Sequence, residues 1–185
     1  MTYEPLIPGM YYHIYNRGNN GEDLFIEEKN YYYFMKLLMK YTSSIAELLS
    51  YCLLKNHFHL LVKTNENTNN SKISQGFSNF FNAHAKAINK AYNRTGSLFN
   101  NRFKRIKIDN EDYLKSLVIY INSNPVHHGF CEEVEKYQDS SYLSLISNSE
   151  TTLNRKEIIK LFETKDNFKQ VINQKQDHIK NLTFE

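Results

Sequence analysis

The chain of 185 residues contains no tryptophan, two cysteines and three prolines. Cys52 and Cys131 form no CxxC pair, which argues against a cysteine-based zinc site. So few cysteines, in a chain without a recognisable signal peptide, favour a reducing compartment, and we expect a cytoplasmic protein. No apolar run approaches the length of about 18 residues that a membrane-spanning helix needs. We therefore expect no membrane partner.

Several well-known catalytic motifs are also missing from the sequence. It has no GxxxxGK[ST] phosphate-binding loop, no HExxH pair and no GxSxG nucleophile turn. These absences argue against P-loop nucleotide hydrolysis, zincin-type proteolysis and serine hydrolysis. The acidic pairs at 27–28 and 132–133 fall at a predicted helix start and in a loop, where we interpret them as solvated charges.

The composition is that of an ordinary folded domain with a mild excess of positive charge. Hydrophobic residues make up 41% of the chain, charged residues 23%, and the formal net charge is +3. This charge permits a nucleic-acid partner but does not require one. The 14 tyrosines and 12 phenylalanines are compatible both with core packing and with base stacking.

Hydrophobic periodicity predicts strand, helix, strand, strand, helix, strand and helix, in that order. The predicted strands cover 10–16, 46–54, 57–63 and 97–108, and the predicted helices cover 27–43, 72–92 and 111–123. Asn124-Pro125 is expected to end the last of these helices. Such an order favours an α+β fold with an antiparallel sheet and helices on one face. Two further helices, over 154–163 and 166–181, are predicted as a C-terminal helical tail.

The segment His57-Phe58-His59 is the first candidate site. Side chains alternate faces along a strand, so His57 and His59 project to the same side with Cα atoms about 7 Å apart. Two imidazoles on one face can bind a single divalent ion. An HxH pattern is also compatible with two unrelated histidines, one in the core and one exposed.

The predicted helix over 111–123 carries the second candidate site. Tyr120 and Asn124 are four residues apart, so their side chains can reach the same volume. Asn124 could act as a third, oxygen ligand of a metal ion, and Tyr120 could attack a phosphodiester that the ion polarises. A tyrosine on an amphipathic helix can equally be a packing residue.

A basic segment between these two sites is a candidate nucleic-acid surface. Lysines and arginines alternate with phenylalanines there, and cations can follow a phosphate backbone while aromatic rings stack on unpaired bases. A solvated edge strand protected by basic residues is the alternative. The candidate nucleic-acid-binding residues are Arg17, Lys55, Arg94, Arg102, Lys104, Arg105 and Lys107.

Taken together, these segments resemble a known family. HFHLLVKT is similar to the His-hydrophobic-His strand of the HUH endonucleases. GSLFNNRFKRIKI followed by YLKSLVIYINSNPVHHGF resembles the REP-associated tyrosine transposases, relatives of the single-strand insertion-sequence transposases. The opening YYHIYNRGNNGEDLF is also similar, and the resemblance covers roughly residues 8–145.

The resemblance implies a fold, a mechanism and a domain division. The fold would be a ferredoxin-like antiparallel sheet, with a catalytic domain over 1–148 and a helical extension over 149–185. His57 and His59 would hold Mg²⁺ or Mn²⁺, and Asn124 matches the position of a third ligand. Tyr120 would form a 5′-phosphotyrosine link with single-stranded DNA, in hairpin-forming repeats, and the strand would then be rejoined. Both a monomer and a homodimer are compatible with the resemblance.

Two other functions remain open at this level. One is a non-catalytic nucleic-acid-binding protein derived from a transposase, although the chain keeps all three candidate catalytic residues. The other is a metal-dependent phosphodiesterase that uses water, with Tyr120 serving only in packing. Covalent trapping of DNA separates both from the tyrosine enzyme.

Overall fold

The computed structural model describes residues 4–182. This part of the chain forms four strands, six α-helices and two short 3-10 helices. The strands are β1 (Tyr11–Arg17), β2 (Ala46–Leu54), β3 (His57–Thr64) and β4 (Lys104–Ile108). The helices are α1 (Glu28–Thr42), α2 (Asn70–Ala91), α3 (Glu111–His127), α4 (Tyr142–Ile146), α5 (Arg155–Leu161) and α6 (Lys165–Leu182).

The strands form one antiparallel sheet with the order β2-β3-β1-β4. Together with the order β1-α1-β2-β3-α2-β4, this arrangement is the ferredoxin-like fold, so the predicted fold class is confirmed. In the β1–β3 register Tyr15 pairs with His59 and Arg17 pairs with His57. The two predicted metal ligands therefore lie on a central strand, where neighbouring strands restrict their backbone on both sides.

One face of the sheet is covered by α1 and α2, as the sequence predicted. Phe58 points to this face, where its ring lies 5.2 Å from Phe34 of α1 and 5.3 Å from Phe81 of α2. All three side chains are buried. Since Phe58 lies between the two histidines, its burial on the helical side turns both imidazoles towards the opposite face.

The opposite face of the sheet is covered by α3, which contacts β2, β3 and β4. The prediction that this helix ends at Asn124-Pro125 is wrong. The helix continues to His127 with the proline inside it. A proline in the last turn removes only one backbone donor, and the amide of His128 still donates to the carbonyl of Asn124 at 3.0 Å.

The C-terminal helices pack against the same region. Helix α6 contacts α3 and α4, and Phe168 and Ile172 of α6 are fully buried. Glu157 of α5 accepts hydrogen bonds from Tyr11 of β1 and, at 3.0 Å, from Lys63 of β3. The predicted tail is thus helical and folded against the rest of the chain, whereas the domain boundary near residue 148 stays a prediction.

The fourth strand is shorter than predicted. The structure has β4 from residue 104 to residue 108, and residues 96–103 form a loop. This loop packs inward through Leu98, Phe99 and Phe103, which are buried. The alternation of apolar and basic residues that predicted one strand over 97–108 therefore belongs partly to a buried loop and partly to β4. Within residues 4–182 no helix is long and apolar enough to cross a membrane.

Candidate active site

His57 and His59 lie side by side on β3, with ring centroids 5.4 Å apart. His59 is buried at 7% exposure, whereas His57 is half-buried. Burial lowers the pKa of His57 to about 4 and that of His59 to about 2, because an imidazolium loses its hydration there, and neighbouring histidines add to both shifts. Both rings are therefore neutral at neutral pH, the state in which imidazole can bind a metal ion.

Each of the two rings has its Nδ1 atom engaged. The Nδ1 atom of His57 lies 2.7 Å from Oδ1 of Asn56, and that of His59 lies 2.9 Å from Nε2 of His13. A carboxamide oxygen can only accept, so Nδ1 of His57 carries the proton and its Nε2 has a free lone pair. Neither His13 nor Asn56 was predicted from the sequence as a site residue.

Tyr120 of α3 reaches the same face of the sheet. Its ring meets that of His59 edge-on at 5.3 Å and that of His13 at 6.4 Å. Tyr120 is nevertheless 39% exposed, so part of the residue is accessible from solvent. The structure therefore brings the predicted nucleophile next to a predicted metal ligand although 61 positions in sequence separate Tyr120 from His59.

Asn124 lies one helical turn beyond Tyr120 and is fully buried. Neither its amide oxygen nor its nitrogen has a hydrogen-bond partner among residues 4–182. The amide lies near enough to the His57 side chain to favour the protonated form of that ring and so to raise its pKa. Because a buried polar group without a partner is costly, this carboxamide beside a histidine fits the role of a metal ligand.

These observations define what kind of metal site the residues can form. In the described part of the chain, no group of three or more His, Cys, Asp or Glu side chains is placed to hold a metal ion. A bound ion would therefore take two imidazoles and an oxygen of another type. His57, His59 and the unpaired amide oxygen of Asn124 fit this requirement, and Mg²⁺ or Mn²⁺ accepts such oxygen ligands.

Residues 7–124, more than half of the chain, match the sequence model of the IS200-like transposases. The chain belongs to this family. The resemblance found in the sequence is thereby confirmed at the level of the transposase family, and the match includes His57, His59, Tyr120 and Asn124. No protein with a curated description matches the chain.

Solved structures similar to this IS200-like transposase include two transposases. One is a REP-associated tyrosine transposase bound to a REP hairpin: it is 19% identical, and the match covers 80% of this chain and 85% of that one with a TM-score of 0.63. The other, from Deinococcus radiodurans R1 and assigned as a transposase, is 12% identical, with a TM-score of 0.43 and coverage of 63% and 92%. The first similarity supports a shared fold.

The predicted nucleic-acid-binding residues of the transposase do not form one surface. Lys104 lies opposite Tyr15 in the register of β1 and β4, and Arg17 lies opposite His57 in the register of β1 and β3. Lys104 and Arg17 therefore lie on the sheet face of the histidines. Arg105 and Lys107 lie on the opposite face, because side chains alternate along β4. Arg102 precedes the strand and is exposed.

Two of the predicted basic residues form ion pairs with acidic residues of the segment between β1 and α1. Lys55 pairs with Asp23 at 3.0 Å, and Arg94 pairs with Glu22. Both pairs are partly exposed, so solvent weakens them and they do not exclude a phosphate contact. The role of all seven residues in binding nucleic acid stays a prediction.

Three aromatic side chains near the site were missed by sequence analysis. His13 and Tyr15 are two residues apart on β1 and lie on the same face, where their rings stack with centroids 4.6 Å apart. His128, just after α3, approaches the His57 ring edge-on at 4.8 Å. A histidine in a central strand next to an HxH strand is a usable sequence signal for His13. No local pattern could have placed His128, because its position depends on the turn that follows α3.

Proposed function

We propose that this transposase cleaves and rejoins single-stranded DNA, with Tyr120 as the nucleophile and a divalent ion, Mg²⁺ or Mn²⁺, held by His57, His59 and Asn124. The observation that carries the proposal is the contact between Tyr120 and His59, at 5.3 Å between ring centroids, beside the unpaired amide of Asn124. Membership of the IS200-like transposase family supports the class of reaction.

In the cleavage step, the phenol oxygen of Tyr120 attacks the phosphorus of a DNA phosphodiester. The bond between phosphorus and the 3′ oxygen breaks as the bond to tyrosine forms. The phenol proton is lost, and the leaving oxygen gains a proton to become a free 3′-hydroxyl. The products are that hydroxyl and a 5′-phosphotyrosine link on α3, whose exposed position leaves room for the strand.

In the joining step, a 3′-hydroxyl attacks the phosphotyrosine link and Tyr120 leaves with its proton restored. The number of phosphodiester bonds is the same before and after the two steps, so no nucleotide hydrolysis is needed. This agrees with the absence of a P-loop motif in the sequence. Which 3′-hydroxyl attacks decides between resealing and strand transfer.

The histidines have a separate task in this reaction. Neutral rings with Nε2 lone pairs would hold the ion without cancelling its charge, and the rigid strand β3 holds both rings at a fixed spacing. The ion, when bound, polarises the scissile phosphate and stabilises the charge that develops on the leaving oxygen. Asn124 would contribute its amide oxygen from α3, which ties the tyrosine helix to the histidine strand.

Single-stranded DNA next to a hairpin is the substrate that we propose. The similar REP-associated tyrosine transposase was solved with a REP hairpin bound, although its 19% identity supports only a common fold. In this chain Arg17 and Lys104 flank the proposed site on its own sheet face and can contact phosphates on either side of the scissile bond.

A single chain supplies every residue of the proposed site. Strand β3 and helix α3 pack against each other within one molecule, so His57, His59, Tyr120 and Asn124 need no residue from a second copy. We therefore propose that a monomer can carry out cleavage. A homodimer would be compatible with the same chemistry.

Covalent trapping tests the proposed function. The protein is mixed with labelled single-stranded oligonucleotides that contain a hairpin and a short unpaired flank, with Mn²⁺ or with a chelator, and then analysed on a denaturing gel. We expect a shifted, metal-dependent band that Tyr120→Phe abolishes. Tyr113→Phe is the matched control, because Tyr113 lies on the same helix with 37% exposure against 39% for Tyr120.

The other outcomes distinguish the alternative functions. Cleavage without a covalent band would overturn Tyr120 as the nucleophile and favour a water-dependent phosphodiesterase. Binding of the oligonucleotides without cleavage, across a varied pool, would favour a nucleic-acid-binding protein that has lost catalysis. A band that persists in the Tyr120→Phe protein would also contradict the assignment.

A further inference from the structure

The histidine pair between β1 and β3 has a geometry that packing alone does not require. The Nε2 atom of His13 lies 2.9 Å from Nδ1 of His59, and the rings are stacked with centroids 5.1 Å apart. Both side chains are buried, at 6% and 7% exposure. One nitrogen of this pair must donate and the other must accept, so the contact links the protonation patterns of the two rings.

Only one of these two arrangements leaves His59 able to bind a metal ion. With Nδ1 in contact with His13, only Nε2 of His59 is left for an ion, and it must carry a lone pair. The single proton of the neutral ring is then on Nδ1 and points at His13, whose Nε2 accepts it. His13 in turn carries its own proton on Nδ1.

We propose that His13 is a positioning residue for His59, which rests on the proposed metal-dependent function. By accepting the hydrogen bond from Nδ1 of His59, His13 keeps the free lone pair of that ring on Nε2 and turned towards the site. His13 does not touch the ion or the DNA. Asn56 does the same for His57 through its 2.7 Å contact, so each ligand has its own outer partner.

The chemistry of the partner also matters. Metal-binding histidines commonly donate to a carboxylate or a backbone carbonyl. A neutral imidazole in that place adds no negative charge to the site. The protein would therefore neutralise less of the charge of a bound ion, which would attract the phosphate more strongly. The stacking of Tyr15 on His13 at 4.6 Å restricts rotation of the accepting ring.

An apolar residue at position 13 would fill the space but would leave Nδ1 of His59 buried without a partner. Such a group carries a desolvation penalty, and the ring would lose the contact that determines its tautomer and orientation. Glutamine is the conservative replacement, because its side-chain oxygen can take the place of the Nε2 lone pair. Phenylalanine and glutamine at position 13 therefore separate the effect of side-chain size from that of hydrogen bonding.

Binding of Mn²⁺ to the DNA-free protein, measured by titration calorimetry at pH 7.5, provides the first test. We expect His13→Phe to weaken Mn²⁺ binding by about 10- to 100-fold, the usual effect of losing an outer partner of a metal ligand. We expect His13→Gln to restore most of the lost affinity. As a control, His84→Phe changes a buried histidine on the other side of the sheet and is expected to leave the affinity unchanged.

The tautomer of His59 in the metal-free wild-type protein provides a second test that needs no variant. Long-range ¹H–¹⁵N correlation spectra distinguish a ring protonated at Nδ1 from one protonated at Nε2. We expect Nδ1–H for both His59 and His13. Nε2–H on His59 would overturn the inference, and so would unchanged Mn²⁺ affinity in a folded His13→Phe protein.

The two proposals can fail separately. If the wild-type protein forms the covalent DNA adduct and binds Mn²⁺, but His13→Phe binds it equally well, only the role of His13 is wrong. If the wild-type protein neither binds Mn²⁺ nor forms the adduct, the proposed function fails. The tautomer measurement on the metal-free protein would then still show whether His13 determines the protonation of His59.

Discussion

The side-chain amide of Asn122 donates a hydrogen bond of 3.0 Å to Oγ of Ser50, which ties α3 to β2 inside the core. The amide oxygen of Asn122 accepts from Ser141 Oγ at 2.8 Å, and the two serine hydroxyls lie 2.8 Å apart. All three side chains are buried. This closed network anchors α3 to the core at Asn122, two residues after Tyr120.

Asn122→Leu removes the amide from this network. We expect the free energy of unfolding to fall by about 1–3 kcal/mol, because the buried serine hydroxyls lose a partner. Urea denaturation measures the change. Ser123→Ala is the matched control: Ser123 is the next residue, and its hydroxyl is buried without a partner among the described residues, so its loss is expected to be neutral or stabilising. Equal destabilisation by both variants would contradict this account.

Asn124→Leu is expected to have opposite effects on stability and on metal binding. Removing an unpaired buried amide should raise the free energy of unfolding of the metal-free protein by about 1 kcal/mol. Loss of an outer partner of a metal ligand weakens metal binding by roughly 10- to 100-fold. Loss of the proposed ligand itself should weaken Mn²⁺ binding by at least as much. Denaturation and calorimetry on the same samples measure both. If stability and affinity fall together, the amide has a structural role.

Acid is expected to destabilise the metal-free protein through its buried histidines. Burial lowers the pKa of His13, His57 and His84 to about 4 and that of His59 to about 2, against an ordinary value of 6.5. The unfolded chain therefore binds more protons than the folded chain below pH 6.5. The stability is fully present above that pH and is lost progressively as the pH falls through 4.

His84 is the residue with which to test this pH dependence, since it packs among Phe25, Phe34 and Phe99, away from the proposed metal site. Between pH 7.5 and 5.0, urea denaturation should show a smaller loss of stability for His84→Phe than for the wild type. Asp139 acts with the opposite sign, because burial raises its pKa from 3.8 to about 6. Asp139→Asn should therefore enlarge the loss on acidification.

Two lysines on β4 allow a paired test of the DNA-binding face. Lys104 and Lys107 are both exposed, but Lys104 lies on the face of the histidines and Lys107 on the other. We expect Lys104→Ala to weaken binding of single-stranded DNA and to reduce the slope of log affinity against log salt by about 0.7. Lys107→Ala should change neither. Equal effects would place the DNA across the sheet edge.

Helix α6 is expected to be part of the cooperative unit that contains α3. Phe168 is fully buried, with its ring 5.0 Å from Phe162 and 5.8 Å from Tyr142. Phe168→Ala should lower the free energy of unfolding by about 3–5 kcal/mol, with one transition in urea. Gln170→Ala, at an exposed position two residues further on, is the control. Two separate transitions would favour an independent C-terminal domain.

The sequence by itself determined most of the strands and helices of this transposase, apart from the start of β4, the end of α3 and the short helix α4, together with the faces that residues share within one element. Strand alternation placed His57 and His59 on one side, and helical periodicity placed Tyr120 and Asn124 on one face. These relationships follow from backbone geometry over a few residues, so they can be derived without knowing the fold. The ferredoxin-like order required the family resemblance in addition.

Tertiary structure decided everything that depends on contacts between elements. It placed α3 on the face opposite α1 and α2, brought His13 to Nδ1 of His59, and left the amide of Asn124 unpaired beside His57. It also divided the basic residues between two faces and turned residues 96–103 into a loop. Strand register and the packing of helices on the sheet involve residues far apart in the chain, and local periodicity carries no information about them.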